Sequence, residues 1–451
     1  PVLANLLVQR GIDTVEKAEK FFKPSLADLH DPFLMKDMDI AVERLNKAMG
    51  KKERILIYGD YDVDGTTAVA LVYKFIQQFY SNLDYYIPDR YNEGYGISKK
   101  GVDYAAETGV GLIIVLDCGI KAVEEITYAK EKGMTVIVTD HHEVQEELPP
   151  ADAVVDHKQE ECGYPFKGLC GAGVAFQLIG ALYEKEGISP DEREDLLEYA
   201  AIATVADVME LKGENRGLVK SGLRALEHTK NTGLRALLEV QELSGKELEA
   251  YHIGFILGPC FNAAGRIDTV TRAFELLEET NKEKALQMAR QLKDINDTRK
   301  QMTEEAAKCA FEILQESGKE DEPVHIVLLP DCHESLAGLV AGRVRENYYR
   351  PVFVLTDSED GVKGSGRSIE SYSMYEELTG CGDLLTKFGG HPMAAGLSLD
   401  KENVEKFKRR LNDQCTLSEE ELTEKVVIDM ELPFAAITEH FIEELEYMEP
   451  F

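Results

Sequence analysis

The segment RILIYGDYDVDGTTA (54–68) decides the fold. An apolar run, RILIYG (54–59), leads into a turn with aspartates at 60, 62 and 64, and Gly65 precedes a stretch of helical length from Thr66 to Tyr80. Four more short apolar runs follow: DYYIP (84–88), GLIIVLD (111–117), TVIVTD (135–140) and AVVD (153–156), with a second helical stretch from Lys121 to Lys132. Strands alternating with helices predict an α/β domain built on a parallel sheet covered on both faces. In such sheets ligands sit at the carboxyl ends of the strands.

Three of these strands end on acid or histidine: the aspartate turn after the first, Asp117, and Asp140-His141-His142. Like charges in one turn repel unless cations neutralise them, and oxygen-rich sets suit Mg²⁺ or Mn²⁺ rather than zinc. Plainer readings stand beside this one. The aspartates could simply cap the helix, Asp117 alone reads as a turn residue, and the two histidines read as a surface pair. A calcium loop is excluded, because the twelfth position counted from Asp60 is Leu71 and not glutamate. The coincidence of three parallel strand ends argues for an edge that shares two metal ions.

At 451 residues the chain predicts two or three domains. Its 44% hydrophobic and 29% charged residues describe a globular protein. No apolar run is long enough to span a membrane and no signal peptide is evident, so a cytoplasmic location is expected. The eight cysteines contain no CxxC, which argues against a zinc ribbon and fits a reducing compartment. Fifty Lys and Arg against 83 Asp and Glu give a net charge of −33, which repels a polyanion at long range. A nuclease of this composition needs local basic grooves or bound cations to bring its substrate in.

From about Ala172 to Glu210 the pattern turns helical, and Thr271 to Ser317 reads as one long helix or two joined end to end. A second α/β block runs through VHIVLLP (324–330), PVFVLTD (351–357), VKGSGRS (362–368) and HPMAAGLSL (391–399).

GDYDVDG (59–65), the Asp117 strand and Asp140-His141-His142 resemble the motifs of the DHH phosphoesterase superfamily. Ala203-Thr204-Val205-Ala206-Asp207 is similar to its fourth motif, an aspartate in an alanine-rich helix. Phe388 to Gly396 is similar to the GGHxxAAG signature of the associated DHHA1 substrate-binding domain. Within the superfamily, residues 6–38, IPDRYNEGYG (87–96) and CGAGVAFQL (170–178) resemble the RecJ-type single-strand exonucleases. The resemblance implies an N-terminal extension (1–50) packed on a DHH catalytic domain (51–268), a long helical connector (269–318) and a smaller α/β DHHA1 domain (319–451). RecJ-type enzymes carry a further oligonucleotide-binding barrel, which is expected to be absent from this chain.

Carried over motif by motif, the resemblance implies Asp62, Asp64, Asp117, His141 and Asp207 as ligands of two divalent cations, Mn²⁺ or Mg²⁺. Asp60 would lie beside them, Asp140 would orient His141, and His142 would hydrogen-bond the scissile phosphate or leaving oxygen. Without the resemblance, Asp207 reads as a buried helix aspartate satisfied by backbone donors. The implied reaction is 5′-to-3′ hydrolysis of single-stranded DNA to 5′-mononucleotides in repair and recombination. The expected partners are the single strand and a helicase or single-strand-binding protein. Arg90, Arg266, Ser365, Arg367, Gly389, Gly390 and His391 are the candidate contacts to the 5′ phosphate and backbone; taken singly, each also reads as part of an ordinary surface turn.

Two further departures from the RecJ pattern stand out. Pro259-Cys260-Phe261-Asn262 replaces Pro-Arg-Ile-Asn, removing a basic contact, and Asp156-His157 replaces Asn-Pro, with His157 expected to be a solvated loop residue. The alternative enzyme is a DHH phosphodiesterase of short oligonucleotides, cyclic dinucleotides or adenosine bisphosphate. A pyrophosphatase of the superfamily would have histidine where Tyr58 stands, and a catalytically dead scaffold would have broken metal motifs.

Overall fold

The computed structural model describes residues 2–90, 92–359 and 361–450; Pro1, Tyr91 (within the IPDRYNEGYG motif), Asp360 and Phe451 lie outside the described residues. Contacts divide the chain into two compact units. The first runs to Asn296 and takes in the segment from Glu431 onward, and the second is Asp297–Met430.

The first unit is built on five parallel strands, β1 (Arg54–Gly59), β2 (Leu83–Tyr86), β3 (Val110–Leu116), β4 (Thr135–Asp140) and β5 (Ala153–Asp156), in the order β2-β1-β3-β4-β5. The three strands that end in acid or histidine are therefore neighbours, β1 beside β3 beside β4. Their apolar runs are buried on both faces, as the unbroken β-branched sequences require. One face packs the helix Val63–Ile76, almost wholly buried because Gly171–Lys185 and Leu197–Ala206 cover it in turn.

Gly65 explains why that helix can start so close to β1. A Cβ there would stand 2.5 Å from the carbonyl oxygen and 2.7 Å from the nitrogen of Asp60, so any side chain would push the aspartate turn open.

Arg216, 2% exposed, fastens two distant segments onto the helix Gly213–Glu227. Its guanidinium lies 3.6 Å from the Phe21 ring centroid and donates to the carbonyls of Phe21 (2.8 Å), Glu449 (3.0 Å) and Pro450.

The second unit holds β6 (His325–Leu328), β7 (Val352–Ser358), β8 (Gly361–Arg367), β9 (Leu385–His391) and β10 (Ala394–Leu399), in the order β6-β7-β8-β10-β9. Only β6 and β7 are parallel. The segment 391–399 of the second α/β block holds the turn and second strand of a β9–β10 hairpin. The first strand, LTKFGGH, is an exposed edge without apolar alternation, so it gives no strand signal. The stretch 271–317 is two helices, Thr271–Glu278 and Lys282–Ser317, and the unit boundary falls inside the second.

Candidate metal centre

The ends of β1, β3 and β4 converge on one imidazole. His141 Nε2 lies 3.1 Å from Asp117 Oδ1, 3.7 Å from Asp64 Oδ2 and 3.7 Å from Asp207 Oδ2. Each carboxylate arrives from a different element. Asp64 stands in the first turn of Val63–Ile76, and Asp117 follows β3 in left-handed backbone (φ 58°). Asp207 is the C-cap of Leu197–Ala206. A non-glycine residue held in that conformation at a site is characteristic of functional strain, and aspartate tolerates it better than most.

Among the described residues, Asp117–His141–His142 and Asp64–His141–Asp207 each offer donor atoms within 4.8 Å of one another. Asp62 caps the following helix, its Oδ1 accepting the Gly65 N–H at 2.9 Å. Asp60 is buried; its Oδ1 accepts the Gly96 N–H at 3.1 Å.

Unpaired atoms test whether cations fit here. Asp60 Oδ2 and His141 Nδ1 are buried without a hydrogen-bond partner, and Asp117 Oδ1, though 3.1 Å from His141 Nε2, makes no hydrogen bond either. Such atoms cost roughly 1–3 kcal/mol each when left unmatched, and for the two carboxylate oxygens a divalent cation is the partner of the right sign. Oxygen donors with one or two imidazoles suit a hard cation of the Mg²⁺ or Mn²⁺ kind. The donor set fits.

The electrostatics agree. Burial, then Asp62, pushes Asp60 up to about 7. Burial, then Asp64 and Asp62, pushes Asp207 up to about 8. Burial and the same two neighbours raise Asp117 well above the carboxylate range. These protons stand where positive charge is missing.

Asp64 is held by a device that residue identity does not announce. Its two oxygens accept the N–H groups of Gly171 (2.6 Å) and Ala172 (2.7 Å), the first amides of the helix Gly171–Lys185. A helix N-terminus, with its partial positive charge, thus neutralises one of the crowded acids.

Asp140 does not orient the His141 ring. Its Oδ1 accepts the backbone N–H of His141 at 2.7 Å, but the ring it faces is that of His142, whose Nδ1 lies at 2.7 Å. Both histidines lie just past β4 with ring centroids 4.4 Å apart, the His141 ring toward the carboxylates and the His142 ring over Asp140. Burial works against ionising Asp140, yet the His142 ring and the N–H groups of Ile120 and His141 outweigh it and hold this carboxyl low. Burial likewise works against the charged His142 ring, and Asp140 outweighs it, so that histidine is raised. Tyr95 closes the other side, its hydroxyl 3.1 Å from His142 Nε2 and 3.1 Å from the Asp117 carbonyl. Sequence reasoning passed over Tyr95, although it stands inside the 87–96 motif.

His157 is not a solvated loop residue; it is fully buried. Its Nε2 accepts the Leu169 N–H at 3.1 Å, steadying the loop that delivers the Gly171 and Ala172 amides to Asp64. Cys260 is also buried, its Sγ 3.0 Å from Gln241 Nε2. The position of the replaced arginine is core here.

The candidate substrate contacts form two groups. Arg90 stacks over the Tyr61 ring at 5.0 Å. Arg266 ends the helix Gly258–Ile267, whose Gly265 lies close to the Tyr61 carbonyl. Burial raises the Tyr61 hydroxyl, and both arginines draw it the other way. In the second unit, Arg367, Ala394 and His391 are directly paired across β8, β10 and β9, as are Ser365, Gly396 and Gly389. The period of two puts all six on one face, where Gly389 and Gly396 leave room between Arg367, Ser365 and His391. Gly390, at φ 148°, faces the other way, and a Cβ there would stand 2.4 Å from the Ala394 carbonyl.

Residues 54–204 match the N-terminal domain of the DHH family, and residues 321–417 match the DHHA1 domain. The chain is 40% identical over its whole length to the single-stranded-DNA-specific exonuclease RecJ of Bacillus subtilis, covering 57% of that protein. It is 36% identical to the RecJ of Salmonella typhimurium over 92% of the chain and 75% of the relative. The chain belongs to the RecJ family. The crystal structure of Thermus thermophilus RecJ in complex with Mn²⁺ superposes with a TM-score of 0.84 at 29% identity, over 99% of this chain and 63% of that one. The chain thus spans under two thirds of the length of the Bacillus and Thermus RecJ proteins. The α/β architecture, with two sheet-bearing units and a long helix spanning the division, is that of RecJ. No helix among the described residues is long and apolar enough to cross a membrane.

Proposed function

We propose that this chain is the nuclease core of a single-strand-specific DNA exonuclease that uses two divalent cations, Mn²⁺ or Mg²⁺, and releases 5′-mononucleotides from the 5′ end. The observation that carries this reading is the convergence of Asp64, Asp117 and Asp207 on His141, with buried oxygens of Asp60 and Asp117 left unpaired. When bound, such cations lower the pKa of water and neutralise charge at phosphorus.

The chain's own residues supply the rest. Asp62, Asp64, Asp117, His141 and Asp207 hold the cations, with Asp60 beside them. Water attacks phosphorus in line, the new P–O bond forms, and the bond to the 3′ oxygen of the terminal nucleotide breaks. His142, whose affinity for a proton Asp140 raises and which Tyr95 steadies, is placed to give that leaving oxygen a proton. Arg90 and Arg266 flank the backbone near Tyr61. Ser365, Arg367, Gly389, Gly390 and His391 receive the terminal 5′ phosphate, as arginine forks and open glycine backbone do elsewhere. The eight cysteines, which form no disulfide among the described residues, suit a reducing cytoplasm, and a helicase or single-strand-binding protein is the class of partner that would present an unpaired strand.

The test is direct. With Mn²⁺, a single strand labelled at its 5′ end should yield labelled mononucleotide as first product, while a 3′-labelled strand shortens stepwise and duplex persists. Ladder products from the 3′ end would overturn the polarity. Turnover confined to dinucleotides would favour the short-oligonucleotide alternative.

A further inference from the structure

The residues that lead into the helix bearing Arg266 carry a pair of aromatic rings that core packing does not use. Ala250–His252 runs through one π-helical turn, Ile253–Leu257, into Gly258–Ile267. On it Tyr251 and Phe255 stack face to face, ring centroids 5.0 Å apart and planes 24° apart, and they are 58% and 66% exposed. Each ring therefore keeps an outer face open to solvent. π-Turns are rare and concentrate at functional sites.

The segment is pinned to the metal centre at two points. Gly254 and Gly258 lie against Val205 and Ala206, the residues just before Asp207 (a Cβ on either glycine would be 3.5 Å away). At the far end Gly265 lies against the Tyr61 carbonyl, next to Asp62. Val208, directly after Asp207, is 88% exposed. Val208 and the Tyr251–Phe255 pair are thus exposed apolar side chains on segments that adjoin Asp207, and Phe255 to Arg266 covers about 16 Å of helix.

Charge indicates what this ring pair would bind. At −33 the chain lacks the basic surplus that grips phosphates by counterion release. The alternative handle on a single strand is its bases, which stack on aromatic faces whatever their sequence. From these observations we propose that Tyr251 and Phe255 form a base-stacking platform for the part of a single-stranded DNA that trails the scissile phosphate. The platform, resting on the nuclease reading above, supplies affinity that this acidic surface cannot draw from phosphate contacts.

The experiment compares the full chain with Y251L/F255L, which keeps apolar bulk and removes the π faces, and with Y251F/F255Y, which keeps them. Binding of 3′-labelled dT20 is followed by fluorescence anisotropy in EDTA, so that no hydrolysis intervenes. The leucine pair should weaken Kd about tenfold or more, the worth of roughly one stacked base, while Y251F/F255Y binds like the parent. A strand of the same length with abasic sites throughout should bind parent and leucine variant alike. Between 50 and 200 mM salt the parent's affinity should fall less than about tenfold, the slope of one or two phosphate contacts.

Unchanged dT20 affinity in the leucine variant overturns the platform. So does an equal loss on the abasic strand, which would mark a packing defect, and so does a thousandfold salt effect, which would mark phosphate gripping. If the parent binds in this ring-dependent way yet hydrolyses nothing with Mn²⁺, the platform stands and the nuclease reading falls.

Discussion

The two sheets build their candidate sites, on a protein of net charge −33, by opposite means. The first sheet concentrates buried negative charge at the ends of β1, β3 and β4 and leaves carboxylate oxygens unpaired, a site completed only by cations. The second removes side chains: Gly389 and Gly396 open the β8–β10–β9 face, and Arg367 and His391 stand at its end. A site built from buried charge is fragile to any change of sign or proton count. A site built from open backbone is fragile to added atoms and indifferent to most else.

The largest effect should come from the charged edge. Asp62→Ala should reduce Mn²⁺-dependent hydrolysis of every substrate, dinucleotides included, to the level of the metal-free protein; full activity in that variant would break the contrast at once. Arg367→Ala should act on one substrate class only. It should slow 5′-phosphorylated strands by about 10- to 100-fold, the worth of one or two charge-assisted hydrogen bonds, and leave 5′-hydroxyl strands unchanged.

Adding atoms sharpens the second half of the comparison. Gly390→Ala should lower unfolding free energy by about 1–3 kcal/mol, because its φ is left-handed and the Ala394 carbonyl occupies the methyl's place. Gly389→Ala, with nothing within 4 Å, should leave stability unchanged in the same denaturant titration.

A pH slope tests the charged edge without a mutation. Asp60 and Asp207 titrate at about 7 and about 8 when folded, against 3.8 ordinarily. Between those limits the folded metal-free protein holds protons that the unfolded chain has released, so its Tm should fall as pH rises from about 4 to 8 and level off above. Mn²⁺ replaces those protons, so it should raise Tm more at pH 8 than at pH 5. A metal-free Tm that climbs over this range would contradict the buried-charge account.

Legibility in the sequence followed the same division. Chemistry that rests on residue type was readable: aspartates after apolar runs, and paired histidines after β4. What depends on direction was not. Asp140 reaches the His142 ring rather than the His141 ring through the turn of the chain just past β4, and Asp64 meets the Gly171 and Ala172 amides across more than a hundred residues. His157 is buried, although polarity suggested a loop. Asp207 was readable only through resemblance, since a carboxylate closing an alanine-rich helix carries no local sign of its neighbours. In the second sheet, β9 escaped notice because an exposed edge of Thr, Lys and Gly has no apolar rhythm.

The Arg216 clamp bears on the order of events during synthesis. It joins Phe21 to Glu449 and Pro450, so the segment from Glu431 belongs to the first unit although residues 297–430 intervene in the chain. On the ribosome the metal-bearing sheet emerges long before its last segment does. At about 5–20 residues per second the guanidinium waits several seconds or more for its final acceptors. Until they arrive, Arg216 is a buried cation short of partners, and the nascent sheet has a built-in delay before its fold can close.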